Sequence, residues 1–429
     1  MSGTKQNGNN GTQARMMERK RVVVTGLGAV SPVGNDVETT WANLLAGTNG
    51  IETITSFDTS TMPIKVGGTV KDFDPKEYMH RKDARRLGPF IQYAIATAQQ
   101  AVDQAGLDMA SEDPTRVGLE ISSALGGMDI IEAQANILDH KGYKGLNPTL
   151  IPACLINMGA CFVGIQLGIQ GPTHASVSAC ATGLTSIGEA MRRIIWGEVD
   201  VMLAGATEST MSPLAFGGFA RLGALTNRED PNRAITPFDA SRDGTVIGEG
   251  GGTLVLESLE HAQARQAPIL AELVGYALTG DAHHITAPSP EGSGASRAMT
   301  NALQDADLSA EDIDYIVAHG TGTPLNDAGE TKAVKRTFGE VAYDIPMTSI
   351  KSMTGHMLGA AGALSAVTVV QAMNDGKVPP TIGILEPDPN CDLDYVPNEA
   401  RQVTVNCGMA NAFGFGGQNA SVIFKKWAE

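Results

Sequence analysis

Ser178-Ala-Cys-Ala-Thr-Gly-Leu184 is a run of small residues with one thiol at its centre. Beyond it Ile187, Met191 and Ile194 recur at helical spacing, and the apolar run Val199–Ala204 reads as a buried strand. A tight turn, a helix and a strand thus follow one another, and the pattern spreads outward in both directions. Upstream, strands are expected at Val22–Thr25 and Val117–Ile121. Helices are expected from Asn35 or Asp36 to Gly47, with Val37, Trp41, Leu44 and Leu45 on one face, and over Pro89–Gly106. Downstream come strands at Gly252–Glu257, Ile269–Leu278, Ile313–His319, Val403–Gly408 and Ala420–Lys425. Helices are expected at Ser296–Ala306 and Ala360–Met373, the latter apolar enough to be buried. Such alternation predicts an α/β protein with largely parallel sheets covered on both faces.

Placed at the start of its helix, Cys180 faces free N–H groups and the positive end of the helix dipole, which favour a thiolate nucleophile. A small core thiol is the competing reading, and it is the one adopted for Cys154, Cys161, Cys391 and Cys407. An odd number of cysteines without a CxxC pair argues against a disulfide framework or zinc site and fits a reducing cytosol. The 429 residues are 42% apolar and 18% charged, enough for a large core, and the net charge of −16 disfavours nucleic acid and anionic membranes. No apolar run reaches the ~18 residues of a membrane span. The polar first twenty residues read as a disordered tail, with Met16 or Met17 as an alternative start. Residues 21–267 and 268–429 are expected to form two halves, divided near Gln266–Pro268; no internal sequence repeat relates them.

Three further segments carry chemistry. His319-Gly-Thr-Gly-Thr-Pro-Leu-Asn-Asp327 ends an apolar strand, where α/β sites gather, and offers hydroxyls at Thr321 and Thr323. Lys351-Ser-Met-Thr-Gly-His356 precedes the buried small-residue helix; a buried Lys351 needs a carboxylate, and Glu330 is the candidate. Asn411-Ala-Phe-Gly-Phe-Gly-Gly-Gln-Asn419 reads as a mobile loop with free backbone donors, or as a plain glycine-rich hairpin. Gly26-Leu-Gly after a strand lacks the third glycine of a dinucleotide fingerprint, no GK[ST] phosphate loop exists, and His283-His284 has no companion ligands. No metal or cofactor is expected.

Together the four segments resemble the β-ketoacyl-[acyl-carrier-protein] synthases, most closely the elongating type II enzymes, over Arg21 to Lys426. The resemblance implies a thiolase-like five-layer αβαβα sandwich of two similar halves, assembled as a cytoplasmic homodimer. It implies decarboxylative condensation of an acyl thioester on Cys180 with a malonyl carrier protein in fatty-acid elongation. His319 and His356 would promote decarboxylation, and Lys351 with Glu330 would set the surrounding electrostatics. The N–H groups of Cys180 and Phe415 would form the oxyanion hole. Thr321 and Thr323 would bind the pantetheine arm; Phe415, Leu125, Phe219 and Thr286 would contact substrate. Lys82, Arg85 and Arg86, with Lys144, would dock an acidic acyl carrier protein despite the negative net charge.

Three positions depart from the pattern. Gly223 stands where relatives have Arg, Thr245 where an aromatic is usual, and Leu125 where Ile is usual at the pocket floor. A ketosynthase of a polyketide or specialised lipid pathway therefore stays open as the alternative. A catalytically silent partner subunit, which would lack the Cys, and a Cys–His thioester hydrolase are disfavoured.

Overall fold

The computed structural model describes residues 19–428. The expectations for the N-terminal tail fall largely on residues 1–18 and lie outside the described residues. Strand β1 (Val22–Val30) is wholly buried. Helix α1 (Val37–Leu45) starts where the Asp36 carboxylate accepts the Thr39 N–H. Helix α2 (Pro89–Ala105) has Pro at its first turn, ends on left-handed Gly106 and packs across β1. A Cβ at Gly26 or Gly28 would stand 2.0 or 1.9 Å from the backbone oxygens of Ala101 and Thr97. The Gly-Leu-Gly of this strand therefore serves helix–strand packing, not a nucleotide.

The first half continues with β2 (Val117–Ser122), β3 (Thr173–His174), α3 (Thr182–Ile195), β4 (Val201–Glu208) and β5 (Gly250–Ser258). The second half supplies β6 (Ala271–Gly280), α4 (Ser293–Ala306), β7 (Tyr315–Val317), α5 (Pro324–Phe338), β8 (Met347–Thr348), α6 (Ala361–Asp375), β9 (Cys407–Gly414) and β10 (Gln418–Lys425). In space the strands run β3-β2-β4-β5-β1 in the first half and β8-β7-β9-β10-β6 in the second. The directions match as well: β2 is parallel to β3 and β4, and β5 is antiparallel to β4 and β1. Likewise β7 is parallel to β8 and β9, and β10 is antiparallel to β9 and β6. One topology is thus used twice, and the sheets meet only where Val23 and Val24 pair with Glu272 and Ala271. They are mixed rather than largely parallel, because one strand of each half, β5 in the first and β10 in the second, runs against both of its neighbours.

Three apolar cores separate five layers. One lies between α2 and the first sheet, with Phe90, Ile91, Leu119 and Leu203. The largest lies at the centre, where α3 and α6 pack together between the sheets, with Leu184, Ile187, Leu364 and Val367. The third lies under α4 and α5, with Met299, Ile316, Val334 and Met409. Burial of α6 on nearly every face follows from its central place. Several boundaries differ from expectation: the strand at Val22 runs on to Val30, the one expected over Ile313–His319 is confined to Tyr315–Val317, and the Val403–Gly408 strand begins at Cys407 and runs on through Asn411 to Gly414, where a loop was one of the two readings.

Candidate active site

Cys180 lies in a 3₁₀ turn, Ala179–Ala181, that feeds directly into α3. Ala179 holds φ +50°, a costly conformation for an alanine, and the turn is kept by Ala181 N–H to the Ser178 carbonyl and Ser178 N–H to Thr182 Oγ1. The β9–β10 hairpin packs against this turn. Gly414 permits it: a Cβ there would stand 2.6 Å from the Ser178 carbonyl oxygen. The segment read as mobile loop or hairpin is thus a hairpin, fully paired from Cys407–Lys425 to Gly414–Gln418, and its tip brings Phe415 to the sulfur. Burial pushes the Cys180 thiol up to about 11; Lys351 and the N–H groups of Phe415 and Cys180 act in the opposite direction without prevailing. The resting residue is therefore a thiol, in contrast to the thiolate that the helix start alone suggested.

His319 follows β7, and its backbone is gripped on both sides. Its N–H donates to Glu330 Oε1 (2.8 Å), the Gly320 N–H to Glu330 Oε2 (2.7 Å), and Lys351 Nζ donates to the His319 carbonyl (2.5 Å). Glu330 and Lys351, both buried, make no ion pair with each other, which corrects the expected pairing. Each instead holds one edge of the same peptide, and their charges are felt through space. Burial drives Glu330 upward and Lys351 downward, and each charge partly restores the other. Asp327 accepts the Gly322 N–H (3.2 Å) and the Phe238 N–H (2.8 Å), which fixes the stretch carrying Thr321 and Thr323.

His356 is fixed by its own N–H to the Val246 carbonyl (2.6 Å) and by Gly248 N–H to its carbonyl (2.9 Å). Its ring stands edge-on to His319 with centroids 5.4 Å apart. Burial, then Lys351, hold both imidazoles well below their ordinary pKa, with His356 adding to the effect on His319. Both rings are therefore neutral at physiological pH, each with an N–H to donate.

These groups line one cavity. Cys180, His319, His356, Thr321, Thr323, Thr286, Phe219 and Phe415 all face it, joined by Thr245, Ile247, Leu358, Phe413 and Asp281. Phe219 and Phe415 lie 6.2 Å apart across it. Leu125 does not line it; its backbone N–H donates to Glu208 Oε1, so the expected pocket-floor role is not what the isolated chain displays. Lys82, Arg85, Arg86 and Lys144 are exposed and outside the cavity, and none has an ion-pair partner among the described residues. His284 Nδ1 accepts the N–H groups of Thr286 and Ala287, and no cluster of metal-ligating side chains occurs among the described residues.

Sequence reading missed Glu208. Buried at the end of β4, it accepts from the Ser123 hydroxyl and from the N–H groups of Ala124, Leu125 and Gly359. It thereby ties the loop after β2 to the turn before α6. A carboxylate closing an otherwise apolar strand was the available signal.

Residues 19–262 match the family model described as Beta-ketoacyl synthase, N-terminal domain, and residues 270–385 match Beta-ketoacyl synthase, C-terminal domain. The chain is 48% identical over 412 residues to 3-oxoacyl-[acyl-carrier-protein] synthase 2 of Staphylococcus aureus (strain COL), covering 96% of this chain and 100% of the relative. The protein of the same name from Synechocystis sp. is 47% identical over 412 residues, covering 96% and 99%. Among solved structures, a type II PKS ketosynthase, bound to a hexaketide in complex with its acyl-carrier protein, superposes with a TM-score of 0.88. It is 34% identical and covers 96% of this chain and 100% of that one.

Proposed function

The chain belongs to the beta-ketoacyl synthase family, and from that premise we propose that it elongates fatty acyl chains by decarboxylative condensation with malonyl-acyl-carrier protein. The observation that carries the reading is the single cavity shared by Cys180, His319, His356 and Phe415. Cys180 attacks the incoming acyl thioester; its sulfur takes the acyl group, and the carrier thiol leaves with the proton. The N–H groups of Cys180 and Phe415, which flank the sulfur, receive the oxyanion.

In the second half-reaction the malonyl thioester loses carbon dioxide, and the bonding pair stays on its α-carbon as an enolate. The two neutral imidazoles donate to that enolate oxygen, and their neutrality keeps the donated proton in place without an ion to desolvate. The carbanion attacks the acyl carbonyl, a carbon–carbon bond forms, the carbon–sulfur bond to Cys180 breaks, and the thiolate regains a proton. Glu330 and Lys351 act through the His319 backbone, as positioning residues. Thr321 and Thr323 bind the pantetheine arm, with Phe415, Phe219 and Thr286 against the acyl group. Docking of the acidic carrier is assigned to Lys82, Arg85, Arg86 and Lys144; their exposure and lack of ion-pair partners support it. A homodimer is the proposed assembly, supported by the open sheet edge at β3, whose Thr173 and His174 are exposed. Among the described residues no helix is long and apolar enough to cross a membrane; a cytoplasmic setting rests on the thiol-only cysteines.

The test is an acyl-chain competition assay with malonyl carrier protein. Saturated medium-chain acyl carriers should be extended to 3-oxoacyl products with release of carbon dioxide. Hydrolysis to free acid without malonyl consumption would overturn the condensing reading. Refusal of saturated chains with acceptance of polyketide intermediates would move the chain to the specialised pathway, which the solved hexaketide-bound neighbour and the Thr245 and Leu125 departures favour.

A further inference from the structure

Seven buried side-chain polar atoms among the described residues lack any hydrogen-bond partner, and three belong to residues lining the catalytic cavity: His319, His356 and Thr245. The two histidines have their use in the reaction. Thr245, only 5% exposed, has no such use. Buried hydroxyls without partners are uncommon, and those at a reactive cavity point to a ligand group that completes them.

The surroundings of Thr245 are fixed. Its N–H donates to the Ala224 carbonyl (2.9 Å), and its own carbonyl accepts the Thr226 N–H (2.9 Å). Gly244 before it has no room for a side chain: a Cβ would stand 2.5 Å from Leu225 C and Thr226 N. The backbone is thus pinned, and only χ1 is free to move. No protein acceptor holds Oγ1, and the residue lines the cavity.

Its neighbours say which part of a substrate it meets. Two residues on, Ile247 pairs with His356. On the preceding side, the Gly244 carbonyl abuts Gly322, which lies between Thr321 and Thr323. Thr245 therefore stands between the hydroxyls assigned to the pantetheine arm and the imidazole assigned to the donor. A malonyl unit hanging from that arm with its thioester oxygen at His356 has one polar group left to satisfy, its carboxylate.

We infer that Thr245 is a specificity-determining residue for the donor, its hydroxyl donating a hydrogen bond to the malonyl carboxylate before carbon dioxide leaves. The inference rests on the condensing function proposed above. It assigns Thr245 to the donor, and Cys180 acylation does not involve it.

Thr245→Val removes the hydroxyl and keeps the shape; Thr245→Ser keeps the hydroxyl. Thermal melting checks that both fold. Cys180 acylation is followed by intact mass, and donor KM is measured with malonyl carrier protein. A hydrogen bond to a charged group is worth about tenfold to a hundredfold. Thr245→Val should raise the donor KM by that factor and leave the acylation rate unchanged, while Thr245→Ser keeps a donor KM near the parent's. An unchanged donor KM in Thr245→Val, or an acylation rate that falls as far as condensation, would overturn the inference. A parent enzyme that acylates Cys180 but never consumes malonyl carrier would instead defeat the functional reading, so the two failures are told apart.

Discussion

Each half of the molecule places a 3₁₀ turn ahead of its central helix, and the two turns do different work. In the first half the turn is Ala179–Ala181, with Ala179 at φ +50°. In the second it is Leu358–Ala360, with Leu358 at φ +45°. Three residues after the strained one, each helix begins, at Thr182 and at Ala361. The position that is Cys180 in one turn is Gly359 in the other, whose N–H goes to Glu208. The second half instead projects its chemistry from just before the turn, at His356, and from the end of β7, at His319. A shared backbone frame thus carries the nucleophile on one side and the charge-stabilising donors on the other. The strain recurs in both halves, so it belongs to the frame and is not peculiar to the thiol.

The division of labour can be broken most sharply at its chemical ends. Cys180→Ala should abolish acyl-enzyme formation by intact mass, and Cys180→Gln should lose condensation while still releasing carbon dioxide from malonyl carrier. His356→Ala should do the reverse, retaining acylation while decarboxylation drops by about 10²–10⁴-fold. A Cys180→Gln protein dead in decarboxylation would show that the halves do not act separately.

The frame itself is tested where α3 and α6 cross, at the equivalent residues Gly183 and Gly362. A Cβ on Gly183 would stand 2.5 Å from the Ala363 nitrogen, a backbone atom that cannot step aside. One on Gly362 would meet Leu184 at 3.0 Å, part of it a flexible side chain. Gly183→Ala should therefore destabilise by about 1–3 kcal/mol in urea unfolding, and Gly362→Ala by less. Equal losses would mean that the crossing is looser than its geometry.

A further effect concerns pH and Glu257, near the end of β5 in the first half. Burial alone would raise the Glu257 pKa, but hydrogen bonds from Arg265, His261 and Thr25 overcome it and bring it from 4.5 to about 2. A carboxylate depressed in this way stabilises the fold above its unfolded value. That contribution, on the order of 3 kcal/mol, is lost as pH falls from about 4.5 toward 2. Glu257→Gln should flatten the acid limb of the stability curve, and an unaltered limb would remove this cluster from the account of the first half.

By itself, the sequence determined the alternation of elements, the thiol in its small-residue turn and the two histidine segments, because each is a local pattern of residue type and spacing. It concealed the repeat, since the two halves share strand order, strand direction and a strained turn, and these constrain side chains at only a few positions, such as Gly183 and Gly362. Only the tertiary structure decided that the sheets are mixed and that Leu125 stays out of the cavity. It alone decided that Glu330 and Lys351 grip one peptide rather than each other, and that Cys180 rests as a thiol. All four depend on burial and on hydrogen bonds between segments far apart in the chain, and no local pattern encodes these.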